Sequence, residues 1–276
     1  MNKDLRMSNA TSGGTSFLLS GDSERPAVIL IHGLGLNQHM WQYQVEVLKE
    51  NYFVISYDLF GHGESKTLNS EPSLSIFSRQ LKDLLKFLKL ERVAVIGFSV
   101  GGMIARHFAQ LYPTSLTALA ILNSPHLRSE QAQVDVYNRW VQVSEAGPIA
   151  TVDAAIERWF TPAYRKNSPD MIEVVRNWIL QNNKKTYSRN YRVLVDGVSE
   201  IIGKKSNILC PTLVVTANED FGNGPKMGIA IANEFPNSKL IVLEGLRHMA
   251  LFESPDKMNI CLKTFLKEHI GQEKNS

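Results

Sequence analysis

The sequence lacks most of the features that mark secreted, membrane-spanning or metal-binding proteins. Among 276 residues there are two cysteines, Cys210 and Cys261, with no CxxC or Cys/His metal spacing, which predicts two buried free thiols and neither a metal nor another cofactor. The first twenty residues contain no apolar signal-like stretch. No run approaches the ~20 apolar residues that span a bilayer. We therefore expect a cytoplasmic protein that does not interact with membranes.

Clustered positive charge is also missing. The formal net charge is +3, and Lys184-Lys185 and Lys204-Lys205 are isolated pairs, whereas a nucleic-acid-binding surface needs a dense basic patch. The hydrophobic share of 43% and the charged share of 21% are ordinary for a globular protein. The expected partner is a small-molecule substrate, with no nucleic acid involved, and a homodimer is compatible with the sequence.

Apolar, β-branched runs alternate with helical patterns along most of the chain. Strands are predicted at residues 17–19, 27–31, 52–57, 92–96, 116–122, 212–216 and 240–243. Helices are predicted at residues 39–50, 73–89, 100–111, 226–235 and 255–270. This alternation predicts an α/β fold, with a mostly parallel central sheet flanked by helices.

The middle of the chain has a different character. Residues 124–206 are helical in pattern and contain Trp140, Trp159 and Trp178. They follow one strand and precede another, at the sheet edge where ligands bind in open α/β sheets. We predict that residues 1–123 and 207–276 form the core domain and that 124–206 form a helical lid. The three tryptophans and His126 are candidates for the substrate pocket, although each tryptophan also fits the lid interior.

The segment Gly97-Phe98-Ser99-Val100-Gly101 matches the pattern G-x-S-x-G between a predicted strand and a predicted helix. A direct strand-to-helix turn forces its central residue into a strained backbone conformation, and the flanking glycines remove Cβ atoms that would clash. The hydroxyl of Ser99 is then held out from the sheet, in front of a helix N-terminus.

A serine hydroxyl needs a neighbouring base, and that base needs an orienting acid. His248 follows the predicted strand 240–243, and Asp220 follows the strand 212–216. Both loops should open at the same sheet edge as Ser99. The chain order serine, acid, histidine is the one expected for this type of triad.

Other residues compete for these roles. Glu219 could replace Asp220 as the acid, and His62 could replace His248 as the base. Asn123 also follows a strand, but an amide cannot serve as the anion.

A glycine-rich turn supplies candidate donors for a developing oxyanion. His32-Gly33-Leu34-Gly35 follows the strand 27–31. The backbone N–H groups of Leu34 and Val100 are therefore the expected donor pair, and His32 is expected to brace the loop. A phosphate cradle is the alternative, but the turn has neither a lysine nor a GxGxxG spacing.

Taken together and in this order, these motifs resemble the α/β-hydrolase fold family over residues 27–266. The resemblance implies a serine hydrolase that cleaves a carboxylic ester or lactone through an acyl-enzyme. Two segments, Arg158-Trp159-Phe160-Thr161-Pro162 and Arg247-His248-Met249-Ala250, are similar to the oxoadipate enol-lactonase branch. Substrates of that branch carry carboxylates, which implies an arginine projecting from the lid. The sequence offers Arg128, Arg139, Arg158, Arg189 and Arg192.

Two further functions remain open on this scaffold. The first is hydrolysis of a carbon–carbon bond in a diketone-type substrate, which the same three residues support in related proteins. The second is a non-hydrolytic protein, either a small-molecule receptor or a peroxide-using variant.

Overall fold

A computed structural model describes residues 8–203 and 208–270, and eight strands within them form one sheet. The strands are β1 (Ser8–Ala10), β2 (Ser16–Ser20), β3 (Ala27–Ile31), β4 (Phe53–Tyr57), β5 (Val93–Phe98), β6 (Leu116–Leu122), β7 (Thr212–Ala217) and β8 (Ser238–Leu243). Their spatial order is β1-β2-β4-β3-β5-β6-β7-β8. The β1–β2 and β2–β4 pairs are antiparallel, and every other neighbouring pair is parallel.

The continuous apolar runs become the central strands because both faces of the sheet are covered. Every residue of β3, β4, β5 and β7 is buried. The edge strand β8 is mostly half-buried. These observations confirm the predicted mostly parallel α/β sheet.

Helices cover both faces of the sheet. They are α1 (Gln42–Leu48), α2 (Leu74–Phe87), α3 (Val100–Leu111), α4 (Glu130–Ala146), α5 (Val152–Trp159), α6 (Pro162–Asn167), α7 (Pro169–Leu180), α8 (Lys184–Asp196), α9 (Val198–Ile201), α10 (Pro225–Ala232), α11 (Ala250–Glu253) and α12 (Pro255–His269). Short 3-10 helices occupy Gln38–Trp41, Pro113–Ser115 and Pro148–Ala150. Ser73 caps α2, because its hydroxyl accepts a hydrogen bond from the Ile76 amide.

Helices α4 to α9 all lie between β6 and β7, and we call this segment the helical insertion. These helices fall within the segment 124–206 that was predicted to be helical, of which residues 204–206 lie outside the described part. Strands β6 and β7 are direct neighbours in the sheet, so the insertion leaves and rejoins the core at one place. Its action as a lid remains a prediction.

Two details differ from the sequence prediction. Strand β1 is present but was not predicted, because its three residues carry no apolar alternation. Cys210 and Cys261 are free thiols, but both are half-buried rather than buried.

Within residues 8–203 and 208–270, no helix has both the length and the apolar character needed to cross a membrane.

Candidate active site

Ser99 lies at the junction of β5 and α3 in a conformation that side-chain-bearing residues rarely adopt. Its backbone angles are φ 54° and ψ −117°, a strain that costs of order 1–3 kcal/mol. The close packing of this turn explains the flanking glycines. A Cβ at Gly97 would lie 2.2 Å from the Gly101 carbonyl oxygen, and one at Gly101 would lie 2.2 Å from that of Ile31.

Neighbouring strand ends hold the strained turn in place. The Ser99 amide donates to the Leu122 carbonyl at 2.9 Å, and the Ser124 hydroxyl donates to the Ser99 carbonyl at 2.9 Å. Both partners belong to the end of β6 and the residues just after it. The predicted position of Ser99, at the carboxyl edge of the sheet, is therefore what the structure shows.

His248 and Asp220 form a buried pair at the same edge. The Nδ1 atom of His248 lies 2.8 Å from Oδ2 of Asp220. Because a carboxylate only accepts, Nδ1 carries the proton and Nε2 keeps a free lone pair. The rings of Phe98 and Trp159 flank the imidazole, with centroids 4.9 Å and 5.7 Å away.

The carboxylate of Asp220 is surrounded by donors. Asn123 Nδ2 donates to Oδ2 at 3.0 Å, and the amides of Gly222 and Asn223 donate to Oδ1 at 3.1 Å and 3.0 Å. Burial opposes ionisation of this carboxyl, but His248 and these hydrogen bonds outweigh burial and lower its pKa. Asp220 is therefore an anion at neutral pH, held beside the imidazole.

Ser99, Asp220 and His248 line a single cavity between the sheet edge and the helical insertion. Leu34 and Phe98 contribute to its floor, and Trp159, Tyr187 and Tyr191 of the insertion contribute to its walls. Glu219, the alternative acid, has different surroundings from Asp220. The Glu219 carboxylate lies 3.8 Å from the Arg247 guanidinium, and Glu219 does not line the cavity.

Of the two residues whose backbone amides are predicted to face an oxyanion, Val100 adjoins Ser99 in the chain and Leu34 lines the same cavity as Ser99. Val100 is the first residue of α3, where an amide has no carbonyl to bond within its own helix. Leu34 follows β3 and lines the cavity together with Gly33. This arrangement can place two donors near a carbonyl oxygen bound at Ser99.

Two buried histidines brace the loop that carries Leu34. The Leu59 amide donates to Nε2 of His32 at 2.9 Å, and the Gly35 amide donates to Nε2 of His62 at 3.1 Å. Burial is the main cause that lowers the pKa of both rings, to about 4 for His62. His62 is therefore neutral and committed to the loop, and it does not line the cavity with Ser99.

The loop that carries His248 is bonded directly to the helical insertion. The Met249 amide donates to the Trp159 carbonyl at 2.9 Å, and the Arg247 guanidinium donates to the Phe160 carbonyl at 3.1 Å. The Glu253 carboxylate accepts from the Arg247 amide and from both the amide and the hydroxyl of Thr161. The two segments that resembled the enol-lactonase branch therefore touch each other.

Three of the five candidate arginines line the cavity: Arg128, Arg139 and Arg158. The other two lie elsewhere. Arg189 binds Glu71 and the carbonyls of the loop before α2, and Arg192 pairs with Asp196 while covering the Trp140 ring.

Of the four residues predicted for the pocket, Trp159 lines the cavity, whereas Trp140, Trp178 and His126 do not. Trp140 bonds the Ser188 carbonyl inside the insertion, and Trp178 packs against Phe252 and lines a separate groove. His126 points to Glu234, with Nε2 at 3.1 Å from the carboxylate. These side chains face other elements because the tertiary packing of the insertion, not residue type, decides which helix face meets the cavity.

Sequence reasoning also missed contributors to the site. Asn223 braces the acid, because its amide donates to Asp220 while its Nδ2 donates to the Asn123 carbonyl at 2.8 Å. A signal existed for this turn, because an aspartate often accepts bonds from amides two and three residues later. Tyr187 and Tyr191 had no local signal.

The fold and the site together are those of one class of enzyme scaffold. In this class, a serine on a strained strand-to-helix turn and a histidine–carboxylate pair lie at the carboxyl edge of the sheet. Residues 26–255 match the family model for the alpha/beta hydrolase fold. The chain therefore belongs to the α/β-hydrolase fold family.

Relatives and solved structures agree with this assignment. The (E)-2-((N-methylformamido)methylene)succinate hydrolase of Acinetobacter baylyi is 28% identical, over 97% of this chain and 98% of that protein. The 3-oxoadipate enol-lactonase 2 of the same organism is 27% identical, over 90% and 91%. The enol-lactonase structure from Burkholderia xenovorans superposes with a TM-score of 0.85 at 23% identity, covering 92% of this chain and 96% of that one. The family and its named members support a hydrolase.

Proposed function

We propose that this protein is a serine hydrolase that cleaves a carboxylic ester or lactone of a small molecule through an acyl-enzyme. One observation carries the proposal. Ser99, on its strained turn, shares a cavity with a histidine whose Nδ1 atom lies 2.8 Å from a buried carboxylate. Relatives that are named for hydrolysis of an enol-lactone and of a succinate derivative support the same class of chemistry.

The proposed reaction has two halves. Ser99 Oγ attacks the carbonyl carbon while Nε2 of His248 takes the hydroxyl proton, and the amides of Leu34 and Val100 stabilise the oxyanion. As the carbon–oxygen bond to the leaving group breaks, His248 returns the proton to that oxygen. Water then attacks the acyl carbon while His248 takes one of its protons. His248 returns that proton to Ser99 Oγ as the bond between Oγ and the acyl carbon breaks and the carboxylic acid is released.

Asp220 gives the imidazole its direction. Its bond to Nδ1 fixes the tautomer that leaves Nε2 free, and its charge stabilises the imidazolium that forms in each half-reaction. The low pKa of this carboxyl keeps the charge present.

The test uses an active-site label and a substrate panel. A fluorophosphonate is expected to label the wild-type protein at Ser99, and Ser99→Ala is expected to lose both the label and turnover of short esters and lactones. The loss in kcat should be on the order of 10^6-fold, as when other serine hydrolases lose the nucleophile. Ser144→Ala, at an exposed serine of α4, serves as the control with full activity.

Each contrary outcome has a distinct meaning. Turnover that survives in a folded Ser99→Ala variant would assign the chemistry to other residues. Cleavage of a vinylogous diketone without cleavage of esters or lactones would favour the carbon–carbon hydrolase, and saturable binding without any turnover would favour a receptor.

A further inference from the structure

The cavity around Ser99 is lined by a buried hydroxyl that takes no part in the hydrogen bonds of the protein itself. Tyr187 belongs to α8, and only 4% of its surface is exposed. None of the residues that the structure describes forms a hydrogen bond with its hydroxyl. Because a buried hydroxyl without a partner is unfavourable, this group is set to bond to something that enters the cavity.

The hydroxyl oxygen of Tyr187 borders open space. Tyr57 also has an unpartnered hydroxyl, but protein atoms enclose that oxygen completely. The oxygen of Tyr187 is not enclosed in this way, and the space that the residue lines is the cavity around Ser99. A molecule bound in the cavity can therefore reach it.

The ring of Tyr187 lies directly on the loop after β3. A Cβ at Gly35 would lie 3.0 Å from a ring carbon of Tyr187 and 3.3 Å from its hydroxyl oxygen. Glycine at this position, with φ 75°, therefore lets the hydroxyl approach the backbone next to Leu34.

The backbone of Gly35 has no bond left to make with this hydroxyl. Its amide donates to Nε2 of His62 at 3.1 Å, and its carbonyl accepts from Nδ2 of Asn182 at 3.0 Å. The Tyr187 hydroxyl therefore lies against the loop without serving it.

The same loop leads from Tyr187 to the nucleophile. A Cβ at Gly33 would lie 3.3 Å from the Cβ of Ser99, and the Leu36 amide donates to the Gly33 carbonyl at 3.2 Å. That bond closes a turn whose ends lie within about 7 Å of each other. Along this short turn, the Leu34 amide comes between the residue beside Ser99 and the residue beside Tyr187.

The phenol of Tyr187 is a neutral donor with a fixed direction. Burial is the main cause that raises its pKa and Tyr191 is the second, whereas Arg158 opposes them. The phenol therefore keeps its proton at neutral pH. Its ring packs edge-on against the ring of Tyr191, with centroids 5.9 Å apart and an interplanar angle of 85°.

We propose that the hydroxyl of Tyr187 is a third donor, beside the Leu34 amide, to the carbonyl oxygen that becomes the oxyanion. This inference rests on the proposed function. The phenol donates a hydrogen bond and keeps its proton, so His248 remains the group that moves protons. A hydrogen bond to a charged acceptor is stronger than one to a neutral carbonyl. Tyr187 therefore stabilises the transition state more than the bound substrate.

Tyr187→Phe tests this role because it removes the oxygen and keeps the ring on Gly35. We expect kcat for one ester to fall about 10^2-fold with KM little changed, as when one oxyanion donor is lost. A trifluoromethyl ketone, which forms a charged adduct with Ser99, should bind more weakly by a similar factor. Steady-state kinetics and inhibition measure both quantities.

Two further measurements separate this role from a structural one. Tyr187→Phe should melt at the wild-type temperature or above it, because no hydrogen bond within the protein is lost. Tyr137→Phe removes the hydroxyl of an exposed tyrosine in α4, and it should retain full kcat and full affinity for the ketone.

Several results would overturn the inference. These are an unchanged kcat in Tyr187→Phe, a raised KM at unchanged kcat, undiminished binding of the ketone, or equal losses in Tyr137→Phe. A loss of kcat/KM with alkyl esters but not with nitrophenyl esters would place the hydroxyl at the leaving oxygen instead. The hydrolase proposal would survive each of these results, because it depends on labelling and turnover at Ser99 and not on Tyr187.

Discussion

Asn123 and His248 both contact the same carboxylate oxygen of Asp220. Position 123 is therefore a second place from which a carboxylate could reach the imidazole of His248. The Nδ2 atom of Asn123 lies 3.0 Å from Oδ2, the atom that His248 contacts at 2.8 Å. The residue has φ 45°, a conformation that asparagine and aspartate tolerate better than most residues. An aspartate would therefore fit this backbone.

We predict that the acid can be moved from 220 to 123. Asp220→Asn should lower kcat/KM by about 10^4-fold, because the imidazole loses its tautomer-fixing anion. Adding Asn123→Asp should recover about tenfold or more of that loss, because a charge-assisted bond to His248 is restored. Steady-state kinetics on one ester measures both variants.

The control for this exchange adds a carboxylate nearby without contact to His248. Asn218→Asp, at an exposed residue that bonds Glu244, should recover nothing in the Asp220→Asn background. A double variant at 123 and 220 that is as slow as Asp220→Asn alone would contradict the prediction.

His62 predicts a pH dependence of stability. Its pKa falls from 6.5 to about 4, mainly through burial. Between these values the unfolded chain binds a proton that the folded chain excludes, so stability falls as the pH drops from 6.5 to 4 and is unaffected above 6.5. The largest effect is about 3 kcal/mol, from 1.36 kcal/mol per pKa unit.

The comparison with His62→Gln isolates this contribution. The glutamine can still accept from the Gly35 amide but does not titrate, so it should lose less stability between pH 6.5 and 4 in urea unfolding. Two neighbouring groups titrate in both proteins. Buried His32 acts in the same direction, whereas Asp58, whose pKa burial raises to about 6, acts in the opposite one. Parallel stability curves for the two proteins would refute the assignment to His62.

At the scale of elements, the loop after β8 depends on the helical insertion for its position. Glu253 in α11 accepts three hydrogen bonds, one from the Arg247 amide and two from Thr161 before α6. It therefore ties the residue preceding His248 to the insertion. The Met249 amide adds a bond on the other side of the histidine.

We predict that Glu253→Gln slows the chemistry more than it weakens substrate binding. The glutamine side chain accepts at least one hydrogen bond fewer than the carboxylate of Glu253, which costs about 1–3 kcal/mol. The imidazole of His248 then loses its fixed direction. The expected result is a kcat about tenfold lower with KM little changed, and slower fluorophosphonate labelling of Ser99.

The matched control is Glu157→Gln, which changes an exposed glutamate of α5 whose nearest cation is Arg165 at 3.9 Å. It should retain full kcat. If Glu253→Gln loses thermal stability but labels at the wild-type rate, the residue contributes to stability alone and does not position His248.

At the scale of the whole molecule, the sequence predicted what local pattern determines. The central strands are long apolar runs, and Ser99 follows one of them directly. Asp220 and His248 come within a few residues of the ends of β7 and β8, so strand prediction placed all three at one edge. His32 was also expected to brace a loop, and it accepts the Leu59 amide.

What the sequence could not predict depends on contacts between distant segments. Which face of α4 and α7 meets the cavity is set by packing, so Trp140 and Trp178 could not be separated from Trp159 by composition. His126 does not line the cavity, because its ring contacts Glu234, which lies 108 residues away in the sequence. The choice of Arg128, Arg139 and Arg158 from five arginines likewise needed the folded chain.

The neighbouring positions of β6 and β7 have a consequence for how this molecule can diversify. Leu119 is in register with Thr212, and Leu122 with Val215. The helical insertion is therefore one continuous segment between two adjacent strands. A homologous segment could replace the helical insertion while the register of the eight strands in the sheet stays the same. Such a chimaera would exchange the three arginines for another set of contacts and leave the serine turn in place. The contacts between insertion and core, among them Arg189 with Glu71, Trp178 with Phe252 and the Trp159 carbonyl with the Met249 amide, would have to be matched in the new segment.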